Sequence, residues 1–394
     1  MTADRLSIEG VTKVFAEQPS AALAMLRSGA GKARVMAELG QIVGLDNVSL
    51  RVPAGAVYMI MGLSGSGKST LARCINRLVE PSAGRILLDG EDVVAAPPAR
   101  LRELRRTRMS MVFQHFALLP NKTVVENVEL GLKLRGVAAT QRRAKAEEVL
   151  SVVGLAGWSH RRPSDLSGGM RQRVGLARAL ATDADVLIMD EAFSALDPLI
   201  RTEMQDELLR LQRSINKTIL FITHDFQEAL KLGTRIAIMA DGAVVREGTP
   251  QDIVLDPGSD YVAAFTRDID RGRLFDAASV MSPADPIIIG KDGAVARPRA
   301  PGPVVLVVDE TGTLLGQVDR SSVAAITSAA DARRLCATDI PRVRAESKLV
   351  EVARAWTSGA IVAVTDERGR LLGSIEPRQL LARIGGERAV PPTP

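Results

Sequence analysis

Nine residues, GLSGSGKST (62–70), carry the strongest chemical signal in the chain. They follow the apolar run VYMIM and precede a helix-patterned segment, the context in which a glycine-rich loop wraps phosphate. Gly62, Gly65 and Gly67 free the backbone, so the N–H groups along Gly62, Leu63, Ser64, Gly65, Ser66, Gly67, Lys68, Ser69 and Thr70 can face an anion. In this reading Lys68 neutralises the β- and γ-phosphates of a nucleotide and the Ser69 hydroxyl ligates Mg²⁺. A second stretch, LSGGMRQR (166–173), opens a basic and then apolar helix behind Ser167, Gly168 and Gly169. Helix N-termini present unsatisfied N–H groups, so this too is an anion site. Nothing near it in the sequence supplies the anion.

Carboxylates for the remaining chemistry stand in DVLIMDE (185–191), an apolar run ending in Asp190 and Glu191. Strand neighbours point to opposite sides, so the pair is expected to divide its work. Asp190 is the candidate for holding Mg²⁺, and Glu191 is placed to orient and polarise the water that attacks the γ-phosphate. His224 ends another apolar run, TILFITH, where it could hydrogen-bond the γ-phosphate and hold that water. A lone histidine is more often structural than catalytic. Gln114, at the end of SMVFQ, reads either as an Mg²⁺ ligand or as a plain loop residue. Their joint arrival at strand ends is what ligand sites in doubly wound sheets look like.

Such placement requires strands alternating with helices. The runs VYMIMG, SMVFQ, DVLIMDE, TILFITH and RIAIM are strand-like, and RRAKAEEVLSVVG and RTEMQDELLRLQRS are helix-patterned. The expected class is α/β with a mixed, mainly parallel sheet. Residues 16–43 interrupt the pattern with helix-like AALAMLR and ARVMAELG, between LSIEGVTKVF and LDNVSLRV. FALLPNKTVVEN (116–127) opens a helical segment expected to run to about residue 162. Beyond the charged connector TRDIDRGRLFDAAS, VVLVVDETGTLLGQV (304–318) matches IVAVTDERGRLLGSI (361–375) at an offset of 57 residues. Each copy reads as strand, Asp-containing turn, strand and helix, a repeated unit suited to packing about a pseudo-two-fold axis.

Composition narrows the function. Hydrophobic content of 46% and charged content of 25% are ordinary for globular chains. Aromatics at 3% argue against stacking platforms for single-stranded nucleic acid. The arginines of RLRELRRTR (100–108) fall at helical spacing with a glutamate between them and read as a solvated face. Two distant cysteines and three scattered histidines, at 115, 160 and 224, exclude a disulfide framework and argue against structural zinc. No apolar run approaches the roughly 18 residues that cross a bilayer, so the expectation is a soluble, cytoplasmic chain.

Taken in order, GLSGSGKST, Gln114, LSGGMRQR, VLIMDE, SALD (194–197) and His224 resemble the ATP-binding cassette of ABC transporters. The resemblance implies a P-loop NTPase fold with a helical subdomain at about 115–180, and ATP and Mg²⁺ as ligands. It makes LSGGM the signature motif of a head-to-tail dimer. Ser167, Gly168 and Gly169 would then act in trans on ATP held by the other copy's phosphate loop, with Asp197 reaching across. It also implies that Phe15 stacks on adenine and that FALLPNKTVVEN receives a short helix of a membrane partner.

MGLSGSGKST, NRLVEPSAG, EAFSALDPLIRTEMQDEL and the insertion at 16–43 are further similar to the importers of glycine betaine, proline betaine and choline-like amines. The implied assembly is a homodimer of cassettes on an integral-membrane permease, served by an extracytoplasmic substrate-binding protein, at the cytoplasmic face of the membrane. Nucleic acid is not an expected partner. A soluble ABC-type ATPase acting on nucleic acid or ribosomes is the alternative; such proteins usually carry two cassettes or a long coiled-coil insertion. The expected organisation is a cassette over 1–270, a linker at 271–280, and α+β CBS-like repeats at 281–336 and 337–390. The first repeat has AVARPRAPGP where a helix is expected. Neither repeat keeps the Thr/Ser-x-x-Asp of nucleotide-binding CBS modules, since Asp319 with Ser322 and Glu376 with Gln379 stand there. Residues 276–394 carry 15 Lys and Arg against 14 Asp and Glu, too balanced for a cationic membrane-binding module.

Overall fold

The computed structural model describes residues 3–113, 117–194, 196–215, 217–290, 295–296, 303–326, 328–356 and 361–386. The chain divides into two compact units, Met1–Thr266 and Arg267–Pro394.

The first unit is built on two sheets. One is antiparallel, with order β2–β1–β4–β5 from β1 (Asp4–Phe15), β2 (Ile42–Pro53), β4 (Ala83–Leu88) and β5 (Glu91–Asp92). The other has order β10–β9–β3–β8–β7–β6, from β3 (Val57–Met61), β6 (Met109–Val112), β7 (Val186–Asp190), β8 (Thr218–Thr223), β9 (Arg235–Ala240) and β10 (Ala243–Gly248). Its strands run parallel except β10, which closes the edge antiparallel to β9. Every residue of β3, β7 and β8 is buried, the pattern of parallel strands covered on both faces. In β2 burial alternates along much of the strand, because one face of the antiparallel sheet carries the core. The division into two sheets departs from a single mainly parallel one: LSIEGVTKVF and LDNVSLRV pair with each other, not with the central sheet.

Helices α1 (Ser20–Arg27) and α2 (Lys32–Leu39) form the insertion, which closes a small core of Ala22 and Val35 over Val14 and Val43 at the strand ends. Helix α3 (Lys68–Ile75) follows the phosphate-type loop, and α4 (Pro98–Thr107) carries the arginine run. The segment expected as helical to about residue 162 is two helices, α5 (Val124–Leu134) and α6 (Ala139–Val152), followed by short 3₁₀ turns. A Thr123–Glu126 capping box starts α5, and left-handed Gly136 helps break the chain before α6. Then come α7 (Gly168–Ala181), α8 (Pro198–Ile215), α9 (Phe226–Leu232), α10 (Pro250–Leu255) and α11 (Asp260–Thr266).

In the second unit, segment 271–280 is folded and not a free linker. Arg271–Leu274 is helical, Phe275 and Ala277 are fully buried, and the Lys348 ammonium donates to the Leu274 carbonyl at 3.0 Å. Apolar Leu274 and Phe275 inside the charged run account for the difference. Two similar layers follow. Ile287–Ile289 pairs parallel with the hairpin Val304–Asp309/Leu314–Asp319, and Arg342–Arg344 pairs parallel with Val362–Thr365/Leu371–Ile375. Asp309 Oδ1 accepts the N–H groups of Thr311 and Thr313, and Asp366 Oδ1 those of Arg368 and Arg370, so the repeated aspartate closes both turns. The hairpins also bond each other reciprocally, Leu314 N–H to Gly369 O at 3.0 Å and Leu371 N–H to Gly312 O at 2.9 Å. Most of AVARPRAPGP lies outside the described residues; Val295–Ala296 pair as a short strand with Ile287–Ile289. Glu376 and Gln379 serve internal bonds: the Glu376 N–H donates to Gln379 Oε1 at 2.8 Å, and Gln379 Nε2 donates to Ser282 Oγ at 2.6 Å.

The central sheet fixes everything at its carboxyl edge, so a void there should be costly. Phe221, fully buried on β8, packs on Phe193 with ring centroids 5.3 Å apart. Phe221→Ala is expected to destabilise the first unit by about 3–5 kcal/mol, read from its urea unfolding midpoint.

Candidate nucleotide site

Strand β3 ends at Met61 and α3 starts at Lys68, so residues 62–67 form the connecting loop. Gly62 has φ +150°, and a Cβ there would collide with the Met239 carbonyl. Gly67 has φ +99° and caps α3 in the left-handed region. Neither position accepts a side chain without strain. The Lys68 ammonium folds back over the loop and donates to Gly62 O at 2.9 Å and Leu63 O at 2.8 Å. Only 5% of Lys68 is exposed. Burial pushes its pKa down, opposed by the charges of Glu191 and Asp190.

Asp190, the last residue of β7, is 1% exposed, and its Oδ1 accepts the Ser69 hydroxyl at 2.8 Å. Burial pushes the carboxyl up, against the Ser69 hydrogen bond and the charges of Arg73 and Lys68. Glu191 diverges from Asp190 for a reason that strand alternation does not provide: it leaves the strand with φ +49°. Its N–H still donates to Ile222 O at 3.0 Å, and its Oε2 lies 3.5 Å from His224 Nδ1. The imidazole is well exposed, with 59% of the side chain accessible. Lys68, Ser69, Asp190, Glu191 and His224 are thus brought to one edge of the central sheet, at the ends of β3, β7 and β8.

Phe15 ends β1 with 48% of its surface exposed. Its ring edge occupies the space that a Gly44 side chain would take, a space bordered also by the Thr70 methyl, and the Lys13 ammonium lies 5.2 Å from the ring centroid. An open aromatic face therefore stands beside the first turn of α3. Gln114 lies outside the described residues. Ser167 caps α7, its hydroxyl accepting the Met170 N–H at 3.3 Å, and Gly168 and Gly169 form the first turn. Asp197 is exposed and its Oδ1 accepts the Ile200 N–H at 3.1 Å. Their observed bonds stay within their own helix ends, so the structure does not join them to the phosphate-type loop of the same chain.

Residues outside every motif also support the loop. Tyr261 on α11 accepts the Leu63 N–H at 3.2 Å and donates to Met239 O at the same distance, tying the loop to β9. Phe265 meets the Tyr261 ring edge-on at 5.3 Å. The Tyr261–Leu63 bond crosses 198 positions and leaves no local signal in the sequence.

Residues 45–194 match the family described as ABC transporter. The chain is 43% identical to the glycine betaine/carnitine transport ATP-binding protein of Listeria monocytogenes, over 97% of this chain and 98% of the relative. It is 43% identical to the glycine betaine transport ATP-binding protein of Bacillus subtilis, over 97% and 93%. This chain belongs to the ATP-binding subunits of glycine betaine-type ABC transporters. The fold agrees: the dimeric structure of MJ0796, a bacterial ABC transporter cassette, aligns with a TM-score of 0.55 at 32% identity, over 62% of this chain and 98% of the cassette. MJ0796 has also been solved in a dimeric post-hydrolysis state bound to ADP and phosphate. The family binds ATP, and the glycine-rich loop at 62–67 is this chain's candidate site for it.

Ser69 and Asp190 suit a hard divalent cation. They are oxygen donors 2.8 Å apart, and the carboxylate is buried beside the phosphate loop. Among the described residues no group of three or more His, Cys, Asp and Glu converges as a metal cage. Mg²⁺ with nucleotide needs none, since phosphates and water complete its shell. Replacing Tyr261 by Phe leaves the Leu63 N–H and Met239 carbonyl without their partner. Tyr261→Phe should cost about 1–2 kcal/mol in unfolding free energy and raise the KM for ATP several-fold with little change in kcat.

Proposed function

We propose that the chain is the ATP-hydrolysing subunit of an importer that energises uptake of a quaternary-amine osmolyte across the cytoplasmic membrane. The observation that carries this is 43% identity over nearly the whole chain to a glycine betaine/carnitine transport ATP-binding protein, supported by Lys68, Ser69, Asp190, Glu191 and His224 standing at one sheet edge. The loop amides of residues 62–70 receive the phosphates, and Lys68 turns its ammonium from the Gly62 and Leu63 carbonyls to the β- and γ-oxygens. Ser69 and Asp190 would hold Mg²⁺, with Gln114 as a further ligand, and the ion would supply positive charge against that developing on the phosphates. Glu191 accepts the proton of the attacking water, and His224 holds that water against the γ-phosphate. Phe15 stacks on the adenine ring.

Ser167, Gly168 and Gly169 complete the site of a second copy, and Asp197 reaches across the same interface. Each helix α7 then meets a negative γ-phosphate at its N-terminus, where the helix dipole favours it. ATP thereby closes the dimer and hydrolysis releases it. The permease docks in a groove of about 330 Å³ that includes Met109, Ala117 and Arg178. Leu78 and Leu134 line this groove and are 51% and 58% exposed, an apolar floor for an incoming helix. Since no helix among the described residues is long and apolar enough to cross a membrane, the subunit reaches the membrane face through that permease. Substrate arrives at the permease from an extracytoplasmic binding protein. The second unit acts as a CBS-like regulator of this cycle.

Glu191→Gln should lower ATP turnover by about 100-fold or more while ATP remains bound and the dimer accumulates on size exclusion. Unchanged turnover would remove Glu191 as the base. A chain ending at Thr266 should keep basal hydrolysis and, assembled with its permease in vesicles, lose any dependence of uptake on ionic strength. Full salt dependence in the shortened transporter would place sensing outside the second unit.

A further inference from the structure

The geometry points to Arg201 as a positioning residue that ties the partner-facing loop at Leu196–Asp197 to His224 of the same chain. Its guanidinium bridges two loops: Nη2 donates to the Leu196 carbonyl at 3.2 Å, and Nη1 lies 3.5 Å from Asp225 Oδ2. Leu196 precedes Asp197, and its side chain packs against Gly169 in the first turn of α7. Asp225 follows His224 and caps α9, its Oδ1 accepting the N–H groups of Gln227 and Glu228. Asp197 caps α8 in the same way through Ile200. One side chain therefore spans the caps of two helices, one facing the second copy and one carrying the catalytic histidine.

Two further polar pairs extend the bridge along α8 and α9. Gln205 Nε2 donates to Glu228 Oε1 at 3.0 Å, with both residues buried, and Lys231 pairs with Asp206 at 2.8 Å. With contacts at 201, 205 and 206 against 225, 228 and 231, the two helices are fastened over more than one turn. A displacement of Asp197 or Gly169 when a second copy seats is carried into the start of α9. Through its bonds to Leu196 and Asp225, Arg201 sets where His224 stands once the dimer has formed.

The inference rests on the ATPase reading above, and the test separates the two. Arg201→Met and Asp225→Asn in the full-length chain should each lower kcat for ATP about tenfold, with KM changed less than about twofold, because the effect lies on the closed dimer and not on nucleotide binding. Asparagine keeps the α9 cap through Oδ1, so Asp225→Asn removes the charge and the Oδ2 acceptor facing Arg201 without removing the cap. The double variant should fall no further than the weaker single variant, the signature of one shared interaction. Arg201→Lys, which keeps the charge but lacks the planar guanidinium fork, should recover part of kcat. If Arg201→Met does not fold, the cycle is run with Arg201→Lys. Wild-type kcat in the folded Arg201 variant, or single losses that multiply in the double variant, would overturn the inference and leave the ATPase reading intact. A wild-type chain without ATP turnover would overturn that reading itself.

Discussion

The site depends on burying two opposite charges, Lys68 and Asp190, at one edge of a parallel sheet without pairing them to each other. Each is satisfied by a neutral partner, Lys68 by two loop carbonyls and Asp190 by the Ser69 hydroxyl. Burial pushes the lysine pKa down and the aspartate pKa up, so it disfavours both charged forms. The proposed polyanion and divalent cation would relieve them, one for each charge. The wholly buried strands β3, β7 and β8 are the physical means, since they deliver these groups from sequence positions more than a hundred residues apart into one low-dielectric edge.

The second glycine-rich stretch, at Ser167–Gly169, makes its observed bonds within α7, and in the proposed dimer it would meet a phosphate held by the other copy. The division of labour explains why one chain carries two glycine-rich loops. A site split between two copies hydrolyses only when both are seated, which is the property a transport cycle requires. Arg201 gives that arrangement a route inward, because the loop that meets the second copy and the turn that holds His224 share one guanidinium.

How far the sequence led can be judged residue by residue. Lys68, Ser69, Asp190, Glu191 and His224 were legible because each stands at the end of a short apolar run, and strand order in a doubly wound sheet sends such ends to one edge. The helices of the insertion were legible from their 3.6-residue spacing, as were the two hairpins of the second unit from their repeated aspartate turns. The sheet division was not, because strand runs reveal period but not partner. Tyr261 was hidden for a similar reason: it acts through two hydrogen bonds across the fold, and a lone tyrosine in a helix has no pattern to announce it. The helix-like turn at 271–274 was obscured by the charges around Leu274 and Phe275.

Glu191 shows where periodicity stops being enough. The alternation of a strand would send its side chain opposite to Asp190, and the expected separation of roles is consistent with that rule. The backbone instead turns left-handed, a conformation costing a non-glycine residue roughly 1–3 kcal/mol. Three bonds hold it there: the Glu191 N–H to Ile222, and the Ser194 N–H and hydroxyl to the Glu191 carbonyl at 3.2 and 2.9 Å. A regular continuation of β7 would carry the carboxylate along the sheet edge. The left-handed turn brings it to His224 at the end of β8, 3.5 Å away, so the strain is localised where the carboxylate meets the imidazole.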